Sequence, residues 1–250
     1  RKRARRDGMP GGGGARRNFS LKGFTLAEVL ITLGIIGVVA AMTLPTLIQK
    51  HQKKVSAVRL AQTYSQLSQA VLLAQKDHGE FADWDYGSST DITNDGGYEA
   101  IATNFCKRYI VPYLKISKDR GWQTSFKNAG YANDIYTLSG FRAMMSQKRY
   151  YIELANGVTL FIRQDNNGAN TIRAMLIYAD INGKTKPNRL GHDIFLMFLT
   201  PNAGVSLMPN GRITTRENLI NSDCNKNGDG LYCGAVIMLD GWEIKDDYPW

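Results

Sequence analysis

The sequence predicts an α+β fold in which one long N-terminal helix, membrane-spanning in its first half, packs on an antiparallel sheet in a C-terminal head. Residues 29–48 carry no formal charge, and apolar residues recur at spacings of three and four over residues 57–74. Alternating apolar runs flank Asn156-Gly157 further along the chain. Because a helix repeats every 3.6 residues and a strand every two, the two patterns indicate a helix followed by strands.

The positive charge of the chain is concentrated at its N-terminus. The formal net charge is +9, and residues 1–23 hold eight Lys or Arg residues against one acid. Residues 24–250 hold 23 bases and 21 acids, which argues against nucleic acid as an electrostatic partner. Residues 1–23 therefore form a basic leader. Met9 is an alternative start, which would make residues 1–8 an upstream extension.

The uncharged segment has the length of a membrane span. Its twenty residues, 29–48, would extend about 30 Å as a helix, the thickness of the hydrocarbon core of a bilayer. A buried helix of a soluble protein would show a polar stripe, which residues 29–48 lack. A secretory signal would be shorter and followed by a small-x-small cleavage site, which is missing here. The basic N-terminus favours a cytoplasmic start, although the basic residues at 51–59 weaken that orientation.

A single acid stands at the front edge of this segment, in the run Gly23-Phe24-Thr25-Leu26-Ala27-Glu28-Val29-Leu30-Ile31. A carboxylate that enters hydrocarbon is costly unless it is paired, so Glu28 indicates a function. The run resembles the prepilin N-terminal cleavage and methylation motif of type IV pilins and type II secretion pseudopilins. Residue types, spacing and the following apolar helix agree together.

The resemblance implies a role for four residues. Gly23 would be the last residue of the leader, and Phe24 the N-methylated start of the mature chain after a prepilin peptidase cuts between them. Glu28, at mature position five, would pair with the N-terminal amine of a neighbouring subunit during assembly. Pro45 falls where many pilins also have a proline, and a kink or local melting of the helix is expected there.

The helix is predicted to continue past the transmembrane and assembly segment at 24–48. Residues 49–78 form its amphipathic continuation, and Gly79 is the expected cap at its end. Residues 79–250 then form the globular head. The stripe that faces this head consists of Ala57, Leu60, Tyr64, Leu67, Val71 and Ala74.

Within the head, residues 80–148 are poorly periodic, and short helices are expected around 98–115 and 139–147. The alternating runs on either side of Asn156-Gly157 predict a hairpin, because Asn-Gly favours a tight two-residue turn. Further strands are expected at Ile172–Ala179, Ile194–Leu199, Val205–Met208 and Arg212–Thr214.

Two oxygen-rich stretches of the head are candidates for tight turns or for calcium. The first contains Asp180, Asn182, Asn188 and Asp193, and it resembles a D-x-N-G…P-N…G-x-D-x-F stretch found in many pilin-like proteins. The second fits the front half of a calcium loop, but its twelfth position is Gly234 rather than a bidentate glutamate. Its candidate ligands are Asp223, Asn225, Asn227 and Asp229.

Three cysteines are present, and they allow three single disulfides. Cys224 and Cys233 bracket the second oxygen-rich stretch, and a disulfide between them is reasonable on the outer side of a membrane. It would close the loop as disulfides pin the C-terminal region of many pilins. Cys106 is left over, and its pairing with either of the others is an alternative.

The sequence offers little for catalysis. The chain has three histidines, and Cys106 with His192 is the one pair that could form a nucleophile and its base. No nucleophile elbow, phosphate loop or metal-ligand pair accompanies it. The resemblance implies a non-enzymatic subunit, of the minor class given its long head. It would be processed by prepilin peptidase at the bacterial inner membrane and assembled with other subunits, with its head in the periplasm or outside the cell.

An alternative is a membrane-anchored module whose head binds DNA, a surface or a secreted cargo. Basic residues alternate with aromatic ones at 107–115 and at 142–151. Such patterns can bind single-stranded nucleic acid. They also occur where solvated charges stand beside buried rings.

Overall fold

The computed structural model describes residues 23–87, 95–165, 174–209, 212 and 214–250. Of the predicted basic leader, residues 1–23, only Gly23 lies in the described part. The chain forms two compact units, Arg1–Leu47 and Ile48–Trp250. Long helix and antiparallel sheet are both present, so the predicted α+β class is confirmed.

Four α-helices are present among the described residues. The first is far longer than the others, and a 3-10 turn at Phe81–Asp83 follows it. The second helix continues into a π turn at Cys106–Ile110 and a 3-10 turn at Val111–Tyr113. The α-helices are α1 at Leu26–His78, α2 at Asp95–Phe105, α3 at Arg216–Ser222 and α4 at Cys233–Leu239.

The second half of α1 buries the predicted apolar stripe. Thr63 and Ala70 are buried as well, because they flank the stripe on the same face. Tyr64 is half-buried, and its hydroxyl donates to the carbonyl of Val205 at 3.3 Å. The helix ends at His78 as predicted, and Gly79 follows in the left-handed region at φ +83°. The residues of α1 buried here are Ala57, Leu60, Thr63, Leu67, Ala70, Val71 and Ala74.

Helix α1 continues without a break through Pro45, so of the predicted kink or local melting the melting is absent, and the kink stays a prediction. A proline removes one backbone donor from the helix, and the turns on either side keep their own hydrogen bonds. Just before it, the Thr43 hydroxyl donates to the carbonyl of Val39 at 2.9 Å. One lost bond is therefore tolerated within a long regular helix.

The sheet has six antiparallel strands in the order of the chain, β1 to β6. The predicted hairpin is confirmed: Tyr150 pairs with Ile162, and the amide of Leu154 donates to the carbonyl of Val158 at 2.8 Å across the turn. The strands are β1 at Ile116–Gln123, β2 at Arg149–Leu154, β3 at Thr159–Asp165, β4 at Ala174–Asp180, β5 at Ile194–Thr200 and β6 at Gly204–Ser206.

The remaining strand predictions differ in detail from the structure. Strand β4 is described from Ala174, and the predicted Ile172 and Arg173 lie outside the described residues. Strand β6 is shorter than the predicted Val205–Met208. The predicted strand at Arg212–Thr214 is wrong at its two described residues, which belong to no strand.

Both faces of the sheet are buried. One face packs on α1, and the other is covered by residues 124–148, where the predicted helix at 139–147 is wrong. This segment is an irregular loop, because the amide of Thr137 donates to the carbonyl of Phe141 at 2.7 Å and turns the chain back. The apolar side chains that the loop adds to the second face are Phe126, Ala129, Tyr131 and Ile135.

Candidate functional site

The N-terminal motif lies at the exposed start of α1. Gly23, Phe24 and Thr25 precede the helix, and the side chain of Phe24 is 87 % exposed. Apart from its chain neighbours, no described residue has a heavy atom within 4 Å of a Cβ placed on Gly23. Within the described part of the chain, the peptide bond between Gly23 and Phe24 is therefore uncovered, in backbone that the helix does not hold.

Thr25 and Glu28 form a capping box, which sequence reasoning missed. The Glu28 carboxylate accepts the amide and the hydroxyl of Thr25, both at 2.8 Å. In return, the Glu28 amide donates to the Thr25 hydroxyl at 3.2 Å. This reciprocal pair satisfies backbone donors that no helical turn can reach. The spacing Thr-x-x-Glu ahead of an apolar run was the signal that could have found it.

Thr25→Val is expected to loosen the first turn of α1, because valine cannot cap the Glu28 amide. Loss of a cap costs about 1 kcal/mol, so the Glu28 amide should exchange with solvent about fivefold faster. Hydrogen exchange of the full chain in detergent micelles measures this. Thr25→Ser keeps the hydroxyl and is the matched control. Equal exchange in the two variants would contradict the capping role.

The apolar part of α1 is exposed. Among the described residues, α1 is the one helix long and apolar enough to cross a membrane, and none of its most apolar stretch is buried. Large apolar side chains face outward along it, among them Leu30, Ile36 and Leu47. Together with the motif ahead of it, this segment is a single-pass membrane anchor.

In the head, Asp180 organises the turn after β4. It is fully buried, and its carboxylate accepts the amides of Asn182, Gly183 and Lys184 at 2.8 to 3.2 Å. The hydroxyl of Tyr131 donates to the same carboxylate at 2.8 Å. Burial raises the pKa of Asp180. The carboxylate therefore serves as the acceptor around which the chain turns.

Asp193 closes the same turn from its other end. Its carboxylate accepts the Asn182 side-chain amide at 2.9 Å and the backbone amides of Asn188 at 2.9 Å and Arg189 at 2.6 Å. Burial, with a further contribution from the charge of Asp180, raises the pKa of Asp193 to about 6. Asp180, Asn182, Asn188 and Asp193, which the sequence offered for turning the chain or for calcium, all take part in the hydrogen bonds of this turn, and both carboxylates accept nitrogen donors.

The raised pKa of Asp193 predicts a pH dependence of stability. The unfolded pKa is about 3.9, so the contribution of Asp193 is fully present below pH 4 and is lost as the pH rises through 6. Between pH 4 and 7 the stability advantage of the wild type over Asp193→Asn should shrink by up to about 3 kcal/mol. Urea unfolding of the full chain in mild detergent, followed by tryptophan fluorescence, measures the difference.

The exposed Asp246 supplies the control for that measurement. Asp246→Asn removes the same charge from the surface of the head, so its difference from the wild type should stay constant over the same pH range. A constant difference for Asp193→Asn as well would contradict the assignment of the transition to Asp193.

A disulfide joins Cys224 and Cys233, with an S–S distance of 1.99 Å, and both residues are fully buried. Of the three bridges that the sequence allowed, this is the one predicted. Cys106 is free and fully buried. Burial raises the pKa of the Cys106 thiol well above its ordinary value, which opposes the thiolate that a nucleophile needs.

The loop inside the disulfide uses two of its four candidate calcium ligands for its own turns. The Asp223 carboxylate accepts the amides of Gly230 at 3.2 Å and Tyr232 at 2.7 Å. Asn225 accepts the amide of Asn227 at 3.0 Å, while Asp229 is exposed. Among the described residues, no three His, Cys, Asp or Glu side chains form a group suited to a metal ion. Calcium binding here stays a prediction, which a calorimetric titration with calcium checks.

Most of the predicted aromatic residues are buried, whereas Lys107 and Arg108 beside them are not. Lys107 and Arg108 are exposed, whereas Tyr109, Tyr150 and Tyr151 are each at most 3 % exposed. Buried rings cannot stack on bases, and binding of single-stranded nucleic acid by aromatic residues depends on that stacking. Three of the four predicted tyrosines are therefore core residues, whereas Tyr113 is half-buried and Arg149 is itself buried. Binding of single-stranded nucleic acid by these residues stays a prediction.

Comparison with families of known sequence identifies both parts of the chain. Residues 20–44 match the prokaryotic N-terminal methylation motif, which confirms the resemblance to type IV pilins and pseudopilins. Residues 46–250 match a family of unknown function, DUF6613. Comparison with curated proteins and with solved structures gives no match. The chain therefore belongs to the DUF6613 family and carries the type IV pilin signature at its N-terminus.

Proposed function

We propose that this chain is the precursor of a pilin-like structural subunit of the minor class. A prepilin peptidase cuts it between Gly23 and Phe24 and methylates the new amine. The mature chain then joins other pilin or pseudopilin subunits in a type IV pilus or a type II secretion pseudopilus. The observation that supports this most directly is the methylation motif on an exposed junction ahead of an apolar, exposed helix.

The chemistry of assembly follows from the new N-terminus. Cleavage creates an ammonium at Phe24, four residues before the Glu28 carboxylate. Each charge alone is penalised in lipid or in the core of a fibre, and a pair of them is stabilised. Because the Glu28 carboxylate lies exposed at the first turn of α1, a neighbouring subunit can bring its ammonium to it.

Membrane and compartment follow from the anchor and the disulfide. The anchor supports insertion of the subunit in the bacterial inner membrane before assembly. The Cys224–Cys233 disulfide is typical of an oxidising compartment, which supports a head in the periplasm or outside the cell. A basic leader on the cytoplasmic side agrees with that orientation.

Sequencing the mature N-terminus tests the proposal. The full chain is expressed together with a prepilin peptidase, and separately with a catalytically inactive peptidase as control. The expected product begins at N-methylated Phe24 only when the peptidase is active. A mature chain that begins at another residue contradicts the proposal.

The alternative, a head that binds a surface, DNA or a cargo, has one observation in its favour. Phe141 is 75 % exposed and Met144 is fully exposed on the loop that covers the sheet. The double change Phe141→Ser and Met144→Ser should then leave filaments intact and abolish attachment, DNA uptake or secretion. Intact filaments with unchanged activity in all three assays would leave no role for this loop in binding.

A further inference from the structure

A pocket of about 340 Å³ lies in the unit Ile48–Trp250, where α1 meets the turn between β4 and β5. Its volume is at the lower end of the range for small-ligand sites. The wall includes residues from α1, from the turn and from the end of the described chain. Its lining includes His51 and Arg59 of α1, Lys186, His192 and Asp193 of the turn, and Trp250.

Arg59 and Lys186 give this basic pocket two positive charges against one acid in its wall, Asp193. Arg59 donates one guanidinium nitrogen to the carbonyl of Ile181 at 3.2 Å. Neither cation forms an ion pair with a carboxylate in the described part of the chain, whereas Lys184 of the same turn pairs with Glu153. The acid in the wall, Asp193, is buried and already accepts three amide donors.

An aromatic wall stands beside these cations. The His192 ring stacks on the Trp250 indole, with centroids 3.9 Å apart. Burial lowers the pKa of His192 to about 4, so its ring is neutral and offers one donor and one acceptor. Its Nδ1 is buried without a hydrogen-bond partner among the described residues. An indole is apolar on its faces and polar at one edge, which suits the boundary between lipid and water.

The chain itself fixes the depth of the pocket relative to a membrane. His51 follows the last residue of the apolar segment, Ile48, by three positions. Three residues span at most about 11 Å in any conformation. The polar layer on each side of a bilayer is about 5–8 Å thick. The mouth of the basic pocket therefore lies at or next to the headgroups while the chain is anchored.

We propose that the basic pocket binds the phosphate group of an anionic phospholipid headgroup. Arg59 and Lys186 supply the charge that a phosphate requires, His51 adds a ring donor, and Trp250 covers the apolar part of the headgroup. This inference goes beyond the proposed function, and it depends on the membrane anchor rather than on filament assembly. Peptidase cleavage at Phe24 is therefore independent of its outcome.

Lipid retention by the full chain tests the pocket. The chain is reconstituted in nanodiscs of phosphatidylcholine with a minor fraction of phosphatidylglycerol, and retained lipid is read by native mass spectrometry. Wild type should enrich phosphatidylglycerol. Lys186→Glu, an exposed position, should lower the enrichment by about tenfold or more, since each charge near a membrane surface contributes about fivefold. Lys76→Glu, an exposed lysine at the far end of α1, is the matched control and should retain the enrichment.

Two further arms identify the source of the phosphate and test the geometry of the Arg59 cation. Inorganic phosphate and glycerol phosphate are titrated against the chain in pure phosphatidylcholine nanodiscs. Tight binding of either, abolished by Lys186→Glu, would overturn the lipid as the source of the phosphate. Arg59→Lys keeps a cation but changes its geometry, and it should give an intermediate loss. Equal retention of the two lipids by wild type, or equal loss in Lys186→Glu and Lys76→Glu, would overturn the proposal.

Discussion

Replacing Gly23 by leucine is expected to leave the chain uncleaved between Gly23 and Phe24, with its fold unchanged. The residue precedes α1, and a Cβ added to it meets no atom within 4 Å in the described residues beyond its chain neighbours. Any loss of cleavage must then come from the peptidase, whose own backbone can approach a glycine closely. A misplaced scissile bond costs about 100-fold in rate, so the precursor should dominate after co-expression with the peptidase.

Gly34→Leu is the matched control for that experiment. It makes the same change eleven residues further along, at a glycine that also has no atom within 4 Å of an added Cβ. Its cleavage should equal that of the wild type when both are followed by gel mobility and N-terminal sequencing. Cleavage of Gly23→Leu at the wild-type rate would show that the peptidase does not cut at this bond.

Elements whose signals are local could be predicted from the sequence. The uncharged run and the apolar stripe gave α1 to its last residue, because each turn of a helix repeats the same contacts. The Asn156-Gly157 turn gave the hairpin for a related reason, since two residues set the register of both strands. Gly157 adopts φ +87°, which its lack of a side chain permits.

Elements that depend on distant partners could not be predicted from the sequence. Strand β1 contains Lys118, Asp119 and Arg120 in a row, and among the described strands it pairs with β2 alone, at the edge of the sheet, where Lys118 and Asp119 stay exposed. Its alternation is further interrupted by irregular register next to Asp119. The second face of the sheet was missed because Tyr131 and Ile135 belong to an irregular loop, whose contacts no periodicity announces.

The candidate site divides in the same way. Gly23, Phe24 and Glu28 could be proposed because the motif is contiguous, and it lies within the matched residues 20–44. Thr25 was missed although its spacing to Glu28 was visible. The bonding of Asp180 and Asp193 needed the fold, since thirteen positions separate two carboxylates that hold one turn. The charge of the basic pocket also needed the fold, because Arg59 and Lys186 are 127 positions apart and meet only there.

Glu28→Gln is expected to abolish assembly under the proposed function while leaving cleavage intact. Glutamine has the size of glutamate and can serve in the same capping box with Thr25, so the first turn of α1 should persist. What disappears is the charge that would meet the ammonium of Phe24 from a neighbouring subunit. Leaving one partner of a buried pair alone costs about 3–5 kcal/mol, which corresponds to a loss of assembled filament of roughly 100-fold or more.

Shearing assays and electron microscopy of cells that also express the partner subunits measure the filament, and N-terminal sequencing of the same cells measures cleavage. Glu243→Gln, an exposed acid of the head, is the control and should assemble normally. Because Thr25→Val removes the cap and keeps the charge, it separates the two roles of Glu28: it should assemble far better than Glu28→Gln. If Glu28→Gln assembled as the wild type does, the carboxylate would act only as the cap of its own helix, and subunits would be joined by the apolar surface of α1 alone.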